Sequence, residues 1–386
     1  MALFESKKRK KKTDYHYHVD PLLVMHPDAI YYVIIGKRSN GKTFSIIELM
    51  LKEFITSKET NKGAIIRRYD DDLKPSNFES LLEMFTDNDE LGNYIEKLSK
   101  GKYNDYIYRS RRFYLCFTND NNEVERTSEV FLYCFALTGV EHKKSTSYPN
   151  VTNILFDEML AMGYYLIDEW TLFTNTLSTI VRKDSKAKIF LCGNTINKFD
   201  CPYASEMGLT HFTKMKPGTI DVYHYGNTAL KVVVEMCDNP VKKYDSDVYF
   251  AFDNPSLKMI TEGEWTINIH PHLPIGTEFI YKDILYTFYI RFAGEVVEGN
   301  IISANNDLFV FYHPKTTPIN DFKGSRIIYQ RESDTAINVR EKMTKDPSNV
   351  STILLQLLKL NKWFYSDNEV GELVASYMRF CGVEIN

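Results

Sequence analysis

Two short stretches carry residue types that together can cleave a phosphoanhydride. Gly36-Lys37-Arg38-Ser39-Asn40-Gly41-Lys42-Thr43 fits G-x-x-x-x-G-K-[ST] with no mismatch. In such a loop, backbone N–H groups and the following helix N-terminus hold phosphates. Lys42 then reaches the β- and γ-phosphates, and the Thr43 hydroxyl enters a Mg²⁺ shell. ATP and Mg²⁺ are the ligands this chemistry expects. The second stretch, Asn153-Ile154-Leu155-Phe156-Asp157-Glu158, is an apolar run ending in two carboxylates. Asp157 would hold the metal shell, and Glu158 would orient and polarise the attacking water. An apolar run ending in Asp-Glu is weak alone; about 115 residues after a good phosphate loop it becomes specific.

Strand, loop and helix must position these groups. Ile30 to Ile35 is a short β-branched and aromatic run that reads as a buried strand. Ile47, Met50, Leu51 and Phe54 then recur at the spacing of one helix face. Ala64 to Tyr69 reads as a second strand leaving through Arg67-Arg68, and Glu129 to Leu137 as another. Trp170, Phe173, Leu177 and Ile180 have helical spacing, ending at Arg182-Lys183. Lys188 to Asn194 reads as a strand finishing in a polar side chain. Asn194 is the candidate to touch the γ-phosphate or the water, the alternative being an Asn that opens a Gly-Asn turn.

Two aromatic stretches stay open. Tyr106 to Tyr114 interleaves aromatics with Arg109, Arg111 and Arg112. That is either a phosphate-tracking surface or a strand with its rings toward a core and its arginines toward water. Tyr15-His16-Tyr17-His18 either covers an adenine or packs locally. His16/His18 and His270/His272 lack companions at ligand spacing and are not read as metal sites.

The chain has 386 residues, enough for two domains, with 44% hydrophobic and 25% charged residues, ordinary globular values. Residues 1–12 carry a net +5, which leaves −9 on the rest of a chain whose total is −4. Contacts to nucleic acid must therefore come from local patches. The six cysteines include no C-x-x-C pair, which fits a reducing compartment. No apolar run has membrane-spanning length and no h-region follows the basic run, so a soluble intracellular protein is expected. The expected organisation is a basic arm (1–24), an α/β domain on a mostly parallel sheet (25–204), a Pro/Gly-punctuated linker or lid (205–245), and a smaller α+β domain (246–386). That last domain is expected to run strands first, with a hairpin at Ala293-Gly294, then two helices.

The motifs GKRSNGKT at 36–43, IIRRY at 65–69, KSTSYPNVTNILFDE at 144–158 and VRKDSKAKIFLCGN at 181–194 resemble the DNA-packaging ATPases of phi 29-like phages. These are relatives of the large terminases, in the additional-strand, catalytic-glutamate (RecA-like) class of P-loop NTPases. The resemblance covers about residues 25–200. It implies a homo-oligomeric ring, a pentamer, at a procapsid portal, driving double-stranded DNA inward with ATP in the host cytoplasm; a packaging RNA enters as a further partner. By position, Arg182 matches an arginine finger acting on the neighbouring subunit's nucleotide, and Arg38 an arginine within the phosphate loop. Lys144, beside Lys143, matches a lysine that grips DNA in the pore. The bland readings are a helix-end arginine and a solvated loop lysine. The C-terminal domain is expected to be RNase H-like without nuclease activity, because Ile284 to Ile290 has none of the carboxylates a two-metal nuclease needs. Glu295 and Glu298 remain either relics or hairpin carboxylates. The rival functions are a terminase with a working nuclease and a nucleotide-gated assembly protein.

Overall fold

The computed structural model describes residues 16–37, 40–87, 92–139, 148–161, 165–181, 187–194, 201–238, 270–274, 277–304, 306–319, 326–331, 334 and 336–385. These form two compact units, one of residues 1–196 and 214–265, the other of 197–213 and 266–386.

The first unit is built on nine strands: β1 (Tyr31–Gly36), β2 (Lys62–Arg67), β3 (Asp105–Arg109), β4 (Arg112–Thr118), β5 (Val124–Ala136), β6 (Val151–Phe156), β7 (Lys188–Asn194), β8 (Thr219–His224) and β9 (Lys231–Met236). Their order is β3-β4-β5-β2-β6-β7-β1-β9-β8. The run from β5 to β9 is parallel throughout. Antiparallel strands close both edges. Parallel strands are covered on both faces, which is why β1, β6 and β7 read as nearly continuous apolar runs. The first unit's helices longer than four residues, among the described residues, are α1 (Asp20–Met25), α2 (Lys42–Thr56), α3 (Tyr94–Ser99) and α4 (Glu169–Ile180). α2 buries Ile46, Ile47, Met50, Leu51 and Phe54, each stabilising by about 1.5–3 kcal/mol. β7 lies between the strand that enters the glycine loop and the strand that ends in Asp157, which is the additional strand that the resemblance implies.

The stretch read as a linker or lid is corrected here. Part of it, β8 and β9, extends the sheet, and β9 pairs parallel with β1. Val232, Val233 and Val234 are fully or almost fully buried. Three consecutive β-branched residues are a strand signal, and the surrounding Pro and Gly punctuation outweighed it.

The second unit holds α5 (Pro202–Glu206), β10 (Ile284–Phe292), β11 (Glu295–Ala304), β12 (Asp307–Pro314), β13 (Ile328–Gln330), β14 (Val339–Arg340), α6 (Asn349–Lys359), β15 (Trp363–Tyr365) and α7 (Asn368–Phe380). Its sheet order is β14-β13-β10-β11-β12-β15. β10, β11 and β12 form an antiparallel meander, and β13 and β14 add in parallel beside β10. β15 pairs parallel with β12 at the other edge of this mixed sheet. The expected hairpin turn is at Ala293-Gly294, both left-handed (φ 51° and 81°). α6 and α7 pack Leu354, Leu357, Leu373, Val374 and Tyr377 onto Phe288, Ile290 and Tyr312. β10 carries no carboxylate, and Glu298 is engaged by Lys315 Nζ at 3.1 Å. No helix among the described residues is long and apolar enough to cross a membrane.

Candidate active site

The glycine loop joins β1 to α2 in a space that only glycine permits. A Cβ on Gly36 would sit 2.7 Å from Asn40 Nδ2 and 2.8 Å from Cys237 Cβ. Gly41 has φ 87°, and its Cβ would meet the Tyr17 backbone N at 3.3 Å. The strap before the first strand runs across this turn. Tyr17 N–H donates to Asn40 O at 2.7 Å, and Val19 N–H to Ser45 Oγ at 2.8 Å. Tyr17 is buried, with its hydroxyl donating to Glu235 Oε2 at 2.6 Å. Tyr17 is packed into the core of the first unit. Burial raises the Glu235 pKa above the usual carboxylate range, with the Tyr17 hydrogen bond opposing. α2 starts with no side-chain cap. The first-turn N–H groups of a helix have no intrahelical partner and are suited to binding an anion.

Lys42 is the centre of the loop. It is 6% exposed, and its Nζ donates to Gly36 O (3.1 Å), Lys37 O (2.8 Å), Asn40 Oδ1 (2.9 Å) and Asn194 Oδ1 (3.4 Å). Burial pushes the Lys42 ammonium below its ordinary pKa, and the Asp157 carboxylate opposes that shift. Burial in turn drives the Cys192 thiol up strongly and Cys237 to about 12, so both stay neutral. Asn194 ends β7 in register with Gly36, so the sensor candidate and the loop share one rim.

The acidic pair lies on the same rim. Thr43 Oγ1 donates to Asp157 Oδ1 at 3.0 Å. A hydroxyl and a carboxylate at this distance are oxygen donors of the kind that could hold a Mg²⁺ shared with phosphates. Glu158 follows in the left-handed region, φ 65°. Its neighbours explain why: Asp157 N–H closes on Ile66 O (3.3 Å) and Met159 N–H on Cys192 O (2.7 Å). Glu158 takes the strained turn between two pinned residues, and its side chain is 61% exposed.

Two further residues belong here, with no site role read from the sequence. Arg67, the last residue of β2, places NH2 2.9 Å from Asp157 Oδ2 and NH1 3.5 Å from Glu158 Oε2. It therefore spans both carboxylates. Arg68 points to the other side of the strand, where Nε meets both Glu169 oxygens (3.1 and 3.0 Å) and NH2 donates to Met159 O at 3.0 Å. The one available signal was a basic pair ending an otherwise apolar strand. Arg68 and Glu169 are both buried. Glu169→Gln should therefore destabilise the fold by about 3–5 kcal/mol, as when one member of a buried ion pair is removed. Urea unfolding of the two proteins measures this, and a change within error would show that the pair does not anchor α4.

The structure thus brings together Gly36, Lys37, Asn40, Gly41, Lys42, Thr43, Asp157, Glu158 and Asn194. Arg38, Ser39, Lys143, Lys144 and Arg182 lie outside the described residues. Of the Tyr106–Tyr114 patch, Tyr108 and Phe113 are buried against the core, as the strand reading expects.

A DNA packaging protein of Bacillus phage B103 is 23% identical over 186 residues, 47% of this chain and 49% of that protein. That of Bacillus phage phi29 is 23% identical over 183 residues, 46% of each. The matched region thus spans about half the length of each of these relatives. The phi29 viral genome packaging motor assembly superposes with a TM-score of 0.49 at 14% identity, covering 95% of this chain and 99% of that one. The Phi-28 gp11 DNA packaging motor superposes at 0.48 with 17% identity, covering 96% and 98%. The phosphate loop, the Asp157-Glu158 strand end and Asn194 all fall within residues 13–205, where the family model for the podovirus DNA encapsidation protein (Gp16) matches half of the chain, and the chain belongs to that family.

Proposed function

We propose that this chain is an ATP- and Mg²⁺-dependent motor that moves double-stranded DNA into a procapsid during genome packaging. The observation that carries the reading is Thr43 Oγ1 3.0 Å from Asp157 Oδ1, one residue from Lys42 and with Glu158 adjacent. The relatives described as DNA packaging proteins supply the process.

Bound Mg²⁺ supplies charge neutralisation on the transferring phosphoryl group. The chain's own residues do the rest. The α2 N-terminus and the Lys42 ammonium hold the β- and γ-phosphates, exchanging carbonyl contacts for phosphate oxygens. Thr43 and Asp157 fix the metal side. Glu158 orients the attacking water and accepts its proton, a role that needs its exposed carboxylate near the γ-phosphate. Arg67, bridging both carboxylates, sets the resting position of Glu158. Asn194 contacts the γ-phosphate or water beside Lys42.

Arg182 lies two residues beyond α4. As a finger reaching a neighbour's nucleotide, it would make hydrolysis depend on docked subunits in a ring, with five as the proposed number. Lys143 and Lys144 would grip phosphates without reading sequence. A portal and a packaging RNA complete the proposed partners.

The test is ATP turnover with and without duplex DNA over a salt series. Turnover should require Mg²⁺ and rise with duplex, and the rise should fade as salt increases. Turnover indifferent to duplex at every salt would instead favour a nucleotide gate for assembly.

A further inference from the structure

A second basic site lies on the catalytic rim, away from the glycine loop. β4 runs antiparallel to β5, with Arg112 opposite Tyr133. The β3–β4 turn therefore emerges at the rim where β2 ends at Arg67 and β6 at Phe156. Five interstrand steps separate β4 from β1. At about 4.8 Å a step this is roughly 24 Å, which makes the site separate from the phosphate loop. A cleft of about 180 Å³ opens here, lined by Ser110, Arg111, Arg112, Tyr133, Phe135 and Tyr148.

The turn is built against backbone preference. Ser110 and Arg111 both take left-handed φ, 50° and 58°. A two-residue hairpin turn of this kind is easiest with Asn-Gly. Strained backbone held by surrounding structure tends to mark functional positions. The arginines are also pre-placed. Arg111 NH2 donates to Asp70 Oδ2 at 2.5 Å, and Asp70 N–H is held by Thr138 Oγ1 at 3.1 Å. Arg112 lies over the Tyr133 ring at 5.7 Å. A guanidinium carries five N–H donors, more than one carboxylate or one ring face engages.

The aromatic lining decides what kind of ligand fits. Tyr133, Phe135 and Tyr148 are each at most 9% exposed. Tyr148 packs edge-on against both other rings, 5.1 Å from Tyr133 and 4.8 Å from Phe135. With Arg112 on one Tyr133 face, no ring presents an open face to a base. The cleft offers charge and hydrogen bonds and lacks a stacking platform, which suits a phosphodiester whose bases are paired elsewhere.

We propose that the Ser110–Arg112 turn is a second contact for the phosphate backbone of duplex DNA. This rests on the motor reading and adds a site to it. The test uses the full-length chain, a labelled blunt DNA duplex, and binding measured over a KCl series beside ATP turnover. Ser110→Asn combined with Arg111→Gly installs the turn's preferred residues, so the fold should be kept, with a melting temperature no lower than the parent's. Arg112→Gln removes the other cation. Each variant should weaken duplex binding and lower the salt slope by about 0.9 for every phosphate it no longer neutralises. DNA-free turnover should stay unchanged in both. Unchanged slopes in variants of a duplex-stimulated parent overturn the site and leave the motor reading intact. A parent that neither binds duplex nor responds to it overturns the motor reading first. Weakened binding seen only with an RNA duplex, or displacement of DNA by inorganic phosphate at matched ionic strength, also overturns the proposal.

Discussion

Glu158→Gln should bind ATP as tightly as the parent and hydrolyse it about 10²–10⁴ times more slowly, the usual range for a general base. The amide keeps the length of the side chain and loses the charge that accepts a proton from water. Ground-state binding is spared because Lys42, the α2 N-terminus, Thr43 and Asp157 make the phosphate and metal contacts. Single-turnover hydrolysis beside a nucleotide titration separates the two effects, and hydrolysis at the parental rate would remove Glu158 from the chemistry. Mixing this variant with Arg182→Ala chains adds a second reading. Each is inactive by itself, but hybrid interfaces pair an intact Glu158 site with an intact finger. Recovered turnover at intermediate ratios is the expected result; none at any ratio would count against a finger acting across subunits.

Lys42→Ala should raise the ATP dissociation constant by about 10²–10³-fold. Charge-assisted hydrogen bonds contribute roughly 1.5–3 kcal/mol each, and about 1.4 kcal/mol is tenfold in affinity. Two such bonds to phosphate oxygens reach that range. The fold itself should tolerate the change. Lys42 is a nearly buried ammonium held by Gly36 O, Lys37 O and two Asn side chains, and burial already disfavours its charged form. The ligand-free melting temperature should therefore hold, while the rise that Mg·ATP produces in the parent should vanish. A variant that melts normally and still responds to Mg·ATP would place the phosphates elsewhere.

Much of this site is legible in the sequence because its parts are local. A glycine turn, a lysine and a hydroxyl lie within eight consecutive residues, and Asp157-Glu158 ends a strand whose apolar run is unmistakable. The helices at Ile353–Leu358 and Val370–Tyr377 were equally plain, since each has to bury one continuous face. Over residues 205–245 the Pro and Gly punctuation masks the Lys231–Met236 run, whose three valines extend the sheet beside β1.

By itself the sequence determined the phosphate loop, the acidic strand end, the polar end of Lys188–Asn194 and the two-unit plan, because periodicity and fixed spacing express those directly. Tertiary structure alone decided that Arg67 bridges Asp157 and Glu158, that Arg68 turns away to Glu169, and that the Tyr106–Tyr114 stretch divides into a buried ring face and a charged turn. Those outcomes depend on which strands become neighbours and which way each side chain leaves the sheet. Contacts of that kind join residues about 90 to 100 positions apart, and no local pattern encodes them.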